Sequence, residues 1–574
     1  MDKPASIQSL PNELIDRIGS YAGTMSDVKA LRLSCRTMGA ALQSAILKRV
    51  VIDLHNGNVE RNVYKLEALS APSPIPSARE DIESRRPWKL MIRELEIKYL
   101  TPLEDFSRRC VSSRGRWLDV ASSTPIDEEA GKNGEKAIKE NLLPAIVSLE
   151  GLSRFRWTIH RGTPMYAVEA VATALREIGT RLTQLYLSAP DVRTTELASY
   201  LGEQELSFPN LRTLSLEYGG PSDEAREPDR ATRWVLGILK NSSSKLTSLT
   251  IRTPNQRLGL HDIAPFVRGA GLESVTLTSV WCIVVPPDFR LPPAAFRNLR
   301  SLNLTVCTPD DRSLFAHLRT PPLPVESADV WTALRNAGVW VASLRIVAIT
   351  DPLLDYLTAH PGPLEHLTVV NSWIARREQG DKWAWVFYES VLPRHKAYLR
   401  TLKLDTAYEN EWSLTGEAFV AHFKGFERLV ALEISVAGSS VASQEVKDGG
   451  SGQANSTFIK TVLDCCANGY MPNLTNLKLY NSEMESTRGS GCGTARINRR
   501  DWITGVMAQA LERYTYISER KPLLPRTVEV VGVAKWSLDV KGRLASAEKI
   551  SVWGYKASPG FRLQTFLRGT GIRF

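Results

Sequence analysis

Apolar residues return along most of this chain in one phrase: an apolar residue, two others, an apolar, one other, an apolar. It appears as Ile92-x-x-Leu95-x-Ile97, Leu152-x-x-Phe155-x-Trp157, Leu182-x-x-Leu185-x-Leu187, Leu211-x-x-Leu214-x-Leu216, Leu246-x-x-Leu249-x-Ile251 and Leu272-x-x-Val275-x-Leu277. It continues as Leu299-x-x-Leu302-x-Leu304, Leu364-x-x-Leu367-x-Val369, Leu399-x-x-Leu402-x-Leu404, Leu429-x-x-Leu432-x-Ile434 and Leu474-x-x-Leu477-x-Leu479. From Leu152 to Leu299 successive copies start 30, 29, 35, 26 and 27 residues apart, the spacing of an internal repeat. Val341-x-x-Leu344-x-Ile346 fits as a further copy, and so does a frame three residues later. In each copy the last two apolar residues share one side of a strand, and the residue between them faces the other way. The stretch before a copy carries helical spacing, as with Val168, Val171, Leu175 and Ile178, or Phe458, Val462, Cys465 and Cys466. Strand, helix and strand running in one direction require a parallel sheet with helices on its outer side. One copy cannot bury both of its elements, so stability comes from stacking on neighbours. The pattern predicts an α/β solenoid with parallel strands on the concave side and helices outside.

Ahead of the repeats, Ser9 to Leu54 has a different period. Ser9 can cap a helix that opens through Pro11, on which Leu10, Leu14 and Ile18 share a face. Gly23 ends it, Ser26 or Asp27 caps the next, and Val28, Leu31, Cys35, Met38 and Leu42 form a second stripe. Ile15, Leu33 and Leu47 lie off these stripes, so the helices are apolar on more than one side. A module of this size with spare apolar faces leans on something else. It reads as a docking module spanning 1–54. A strand through Val50, Ile52 and Leu54 leads into a linker and loop over 55–87, rich in Pro and Ser from Leu69 to Pro87. Repeats are expected over 88–522, interrupted by a polar stretch at Asp127–Glu140 before a helix at Leu142–Leu149. Degenerate strands through Val528, Val530, Ile550 and Val552, capped by Phe561, Phe566 and Phe574, are expected over 523–574.

The opening Leu10-Pro11-x-Glu13-Leu14-x-x-x-Ile18, followed by Leu31-Arg32-Leu33-Ser34-Cys35-Arg36, resembles an F-box in the form common in fungal proteins. The repeated phrase resembles the leucine-rich repeat, in an irregular form. The Asn or Cys expected three residues beyond it appears clearly only as Cys307; Pro190, Gly219, Pro254, Val280, Ala407 and Ala437 take that place elsewhere. Gly19 inside the first helix and Ala22-Gly23-Thr24 before the second depart from the F-box pattern. The resemblance implies a small three-helix F-box that binds the adaptor subunit of an SCF-type ubiquitin ligase, and through it a cullin. The repeats would hold a client protein for ubiquitylation. By position the adaptor contacts are Leu10, Pro11, Leu14, Ile18, Leu31, Leu33, Cys35 and Arg36. A repeat scaffold acting outside any ligase is the alternative reading.

The residues between strand apolars would meet the client: Arg156, Tyr186, Ser215, Thr250, Thr276, Asn303, Thr368, Lys403, Glu433 and Lys478. Their neighbours beyond the last apolar, such as Thr158, Ser188, Glu217, Arg252, Ser435 and Tyr480, face the same way. Aromatic residues gather just past the strands as Tyr218, Trp281, Trp373, Tyr408 and Trp412, and with Tyr480 they are the candidate client anchors. Each is an equally good core plug.

Composition narrows the chemistry. The chain of 574 residues is 43% apolar and 23% charged, and its apolar runs fall short of a membrane span. The opening MDKPASIQ lacks the apolar core of a secretory signal. Seven scattered cysteines do not make a disulfide framework, which fits a reducing cytoplasm or nucleus. The net charge of +10 is spread over loops, without a dense basic helix or a zinc finger, so nucleic acid is not the expected partner. There is no C-x-x-C, H-E-x-x-H or G-x-S-x-G, and the Gly-rich runs near Gly450 and Gly491 lack the Lys of a phosphate loop. Cys465 and Cys466 sit on an expected helix as core residues. No catalytic residue, metal or cofactor is expected.

Overall fold

A computed structural model describes residues 30, 33, 47–55, 58–72, 88–102, 109–111, 117–119, 128–160, 162–189, 206–218, 228–253, 258–267, 269 and 271–279. It further describes 284–306, 328–347, 349–371, 377–406, 409–438, 441, 457–482, 503–508, 510, 511, 514, 525–531, 534–538 and 544–549. The chain divides into two compact units, Met1–Glu273 with Ala294–Asn298, and Ser274–Pro293 with Leu299–Phe574.

In the first unit six strands follow one another in an open parallel sheet: β1 (Arg49–Leu54), β2 (Glu94–Leu100), β3 (Arg154–Thr158), β4 (Gln184–Ala189), β5 (Thr213–Tyr218) and β6 (Ser248–Thr253). Their register is set by the repeated phrase. Leu95, Phe155, Leu185, Leu214 and Leu249 align in one buried column, and Ile97, Trp157, Leu187, Leu216 and Ile251 align in the next. A slip of one residue would turn both columns to the polar side, which is why the pairing is well specified. Helices α1 (Val59–Ser70), α2 (Glu128–Val147), α3 (Met165–Ile178) and α4 (Pro228–Lys240) occupy the connections. Val168, Val171, Leu175 and Ile178 line the buried stripe of α3, as their spacing predicts.

Two helices lie where the sequence suggests loop. α1 falls in the stretch read as linker, and from Glu128 onward the stretch read as a polar interruption belongs to one continuous helix, α2. Gly131 and Gly134 face inward from α2, and a Cβ on Gly134 would stand 2.7 Å from Pro102 Cβ and 2.9 Å from Val59 of α1. The glycines there permit close packing.

Unit two carries eight parallel strands: β7 (Ser274–Ser279), β8 (Ser301–Val306), β9 (Ser343–Ile346), β10 (His366–Asn371), β11 (Thr401–Thr406), β12 (Ala431–Ala437), β13 (Asn476–Ser482) and β14 (Thr527–Val530). Leu344 pairs with Leu302 and Leu367, so the frame beginning at Val341 is the one adopted. The connections hold α5 (Val330–Asn336), α6 (Asp351–Ala359), α7 (Arg377–Val386), α8 (Gly416–His422) and α9 (Thr457–Ala467). Gly338 and Gly469 follow α5 and α9 with φ of 66° and 80°, the left-handed turn that lets a helix end sharply. The tail departs from expectation. Val528 and Val530 do close the parallel series, but β15 (Ala534–Leu538) and β16 (Leu544–Lys549) turn back as antiparallel strands. Residues 550–574, with the expected cap phenylalanines, lie outside the described residues, as do both Gly-rich runs. Cys465 and Cys466 are buried on α9, and burial pushes the Cys465 thiol up to about 11, so neither is a poised nucleophile. No described helix is long and apolar enough to cross a membrane.

Candidate protein-binding face

Alternate residues of every strand project from the polar side of the sheet, and the register ranks them in rows. In the first unit Arg156, Tyr186, Ser215 and Thr250 form one row, and Thr158, Ser188, Glu217 and Arg252 the next. Charge on this face is largely self-compensated. Glu94 lies between Arg49 (3.5 Å) and Arg154 (3.0 Å), and Arg49 also pairs with Glu96. Glu217 accepts from Ser188 Oγ at 3.3 Å and lies 3.9 Å from Arg252. The Arg156 guanidinium rests 4.9 Å from the Tyr186 ring centre, a cation–π contact. Tyr99 stacks on His160 at 4.2 Å, and His55 meets its edge at 5.5 Å.

The second unit splits its face in two. Over β11 to β14 the central row reads Lys403, Glu433, Lys478, Glu529. Lys403 Nζ is 3.1 Å from Glu433 and 3.6 Å from Asp405; Lys478 is 3.6 Å from Glu433 and 3.8 Å from Glu529. Tyr480 locks this ladder: its hydroxyl accepts from Lys403 at 2.7 Å and donates to Glu433 at 2.7 Å. Burial works against the charge on Lys403 and Glu433, but these bonds and the mutual attraction outweigh it, raising the ammonium and lowering the carboxyl. Burial also pushes the Tyr480 phenol up to about 12, so it stays a donor. Over β7 to β10 the same row reads Thr276, Asn303, Arg345, Thr368. Its flanking row is Ser274, Ser301, Ser343 and His366.

The expected anchors separate on this geometry. Tyr480 lies on the polar face, half-buried in the ladder. Tyr218 is a correction: it is 1% exposed, in phase with Leu214 and Leu216 on the core side of β5, and burial drives its phenol upward. Trp412 is another, fully buried at 0% exposure among Phe387 and Tyr388, with Nε1 donating to Gly380 O at 2.9 Å. For both, the core-plug reading holds. Trp281, Trp373 and Tyr408 lie outside the described residues. Ser435, expected on the polar face, is buried beneath the segment carrying Leu414, and its hydroxyl accepts from Thr406 N at 2.9 Å. Of the adaptor residues only Leu33 is described, in helical backbone with 86% of its surface exposed. Leu10, Pro11, Leu14, Ile18, Leu31, Cys35 and Arg36 lie outside the described residues. Arg345 and Glu529 were missed. Arg345 was hidden by the two possible frames of its repeat, and Glu529 because the tail copy lacks the full phrase.

Parallel strands in serial order, columns of Leu behind and polar rows in front define a repeat protein of the α/β class. No family model matches the sequence, and no curated protein matches it. Among solved structures it is similar to the yeast complex of Rad7 and Elc1, at 13% identity and a TM-score of 0.27, covering 86% of this chain and 97% of that one. It is also similar to a Bacteroides fragilis protein, at 12% identity and a TM-score of 0.24, covering 64% of this chain and 81% of that one. Both scores are far below 0.5, and neither likeness bears on function.

Proposed function

We propose that this chain is a non-catalytic substrate receptor of an SCF-type ubiquitin ligase. Its N-terminal helices bind the adaptor subunit, and its repeats hold a client. The observation that carries this is the spacing Leu10-Pro11-x-Glu13-Leu14-x-x-x-Ile18 with Leu31 to Arg36, placed ahead of a repeat array. An 86% exposed leucine on a helical residue, Leu33, supports it, because an apolar side chain in that setting gains from being covered by a partner. The receptor acts by effective concentration, holding a client lysine near a conjugating enzyme supplied in trans. Cytoplasm or nucleus is the compartment this role requires.

Capture of the purified adaptor subunit tests the reading. Wild type retains it, and Pro11→Ala with Leu14→Ala loses it while melting at the wild-type temperature. Equal capture by both favours a scaffold that works outside a ligase.

A further inference from the structure

We propose that the polar face of β7 to β10 binds an extended peptide segment through one unphosphorylated acidic side chain, seated on the Arg345 guanidinium. The proposal rests on reading the repeats as a client grip, and it names the chemistry of the client.

Arg345 is exposed at the centre of the row Thr276, Asn303, Arg345, Thr368. No carboxylate stands within ion-pair range of it among the described residues, whereas every charged residue of the row over β11 to β14 is paired. The nearest cation in its own row, Lys403, lies two strands away, at about 10 Å for neighbouring strands about 4.8 Å apart. Glu433 already compensates it at 3.1 Å. Among the described residues the field around Arg345 therefore has one permanent positive charge without a carboxylate partner, set among hydroxyls, an amide and the imidazole of His366 in the flanking row, whose Nδ1 is hydrogen-bonded with Thr401 Oγ1 at 2.8 Å.

That charge selects the ligand. A guanidinium matches a carboxylate in charge and in its two parallel hydrogen bonds. A phosphoryl group brings about −1.5 to −2 charges and calls for a second cation, which this half of the row does not hold. The hydroxyls of Thr276 and Thr368 and the amide of Asn303 flank the arginine and can pair with the backbone of a bound chain. From β7 to β10 is about 14 Å, the reach of roughly four extended residues.

Selection of a display library of random dodecapeptides on the immobilised full-length chain tests the proposal. The expected peptides share one Asp or Glu. In a synthetic copy, replacing that acid by its amide weakens binding about tenfold, which is about 1.4 kcal/mol. Arg345→Gln weakens the parent peptide equally, and the two changes together cost no more than either alone. Arg345 is exposed, so the variant should melt with wild type, and Lys478→Gln should bind normally. Peptides without a shared acid, unchanged binding by Arg345→Gln, tighter binding of a phosphoserine replacement, or no selected peptide would each overturn the proposal. Adaptor capture is read separately: a chain that captures the adaptor yet selects no acidic peptide removes this inference alone. One that selects acidic peptides yet ignores the adaptor removes the ligase reading alone.

Discussion

Asn62 does for the first unit what a further strand would otherwise do, and replacing it should cost more than its size suggests. Among the described residues β1 pairs with β2 and has no strand on its other side. On its other side Asn62 Oδ1 accepts from Asp53 N–H at 3.3 Å while Nδ2 donates to Asp53 O at 2.9 Å, the same pair of bonds a neighbouring strand would make. Lys65 extends the device, its Nζ donating to Val51 O at 3.0 Å and to Asn62 Oδ1 at 2.9 Å. Asn62 Nδ2 also donates to Asn58 O at 2.8 Å, and the side chain is 2% exposed. Asn62→Ala leaves Asp53 N–H and C=O without these partners. Each unsatisfied group costs about 1–3 kcal/mol when buried, and Asp53 is only half-buried, so about 2–3 kcal/mol in total is expected. For a unit of this size that is a fall in melting temperature of about 3–6 °C. Scanning calorimetry would measure it, with Tyr64→Ala as a control on the same helix. Tyr64 is 72% exposed and its loss should be nearly silent. Hydrogen exchange at the Asp53 amide should quicken in Asn62→Ala. A melting temperature unchanged to within 1 °C, or an equal loss in Tyr64→Ala, would refute the reasoning.

Three further outcomes follow from packing and titration. Gly151→Ala would place a Cβ 2.3 Å from Leu90 O, so the backbone must move and about 1–3 kcal/mol should be lost in denaturant unfolding. Trp412→Ala empties a buried site and should cost about 3–5 kcal/mol, while Trp385→Ala, 64% exposed, should cost under about 0.5 kcal/mol by the same measurement. His360 and His395 are lowered by burial, although His360 Nε2 meets Val341 O at 3.0 Å and His395 Nε2 meets Leu357 O at 2.9 Å. Below about pH 6.5 the unfolded chain takes up protons there that the folded chain refuses, so stability falls on acidification by up to about 1.4 kcal/mol per pH unit for each histidine. Asp329 works in the opposite sense. Burial raises it to about 6, so its contribution is present in acid and lost as pH rises through that value, and Asp329→Asn should steepen the acid loss seen in urea midpoints. A flat profile between pH 7 and 5.5 in both proteins would contradict the assignment.

The strands were legible because their core residues keep a period of two, and a fixed phrase carries its own register. What escaped did so for identifiable reasons. α1 was missed because the side chain in the middle of its buried stripe of Val59, Leu66 and Leu69 is Asn62, a polar residue placed inward to serve β1. The start of α2 was missed because Asp127–Glu140 reads as a polar stretch: its first inward positions are Gly131 and Gly134, which leave no apolar stripe to recognise. Tyr218 could have been placed correctly from phase alone, since it continues the alternation of Leu214 and Leu216. Trp412 could not, because its burial depends on Phe387 and Tyr388, which are remote in sequence and belong to a turn of π-helix at Phe387–Val391. The polar rows were readable position by position. The split between a neutralised half and a half with a lone arginine emerged only when register showed which charges stand side by side.

The reversal of direction after β14 has an evolutionary reading. β15 runs against β14 and β16 against β15, so β16 restores the direction of the series with one reversed strand between, and a copy added by tandem duplication has a like-directed strand on both sides only when it enters ahead of β15. Each such insertion would shift every later row sideways by one strand while leaving its neighbours intact, which makes the spacing between distant patches on the face the property most open to change.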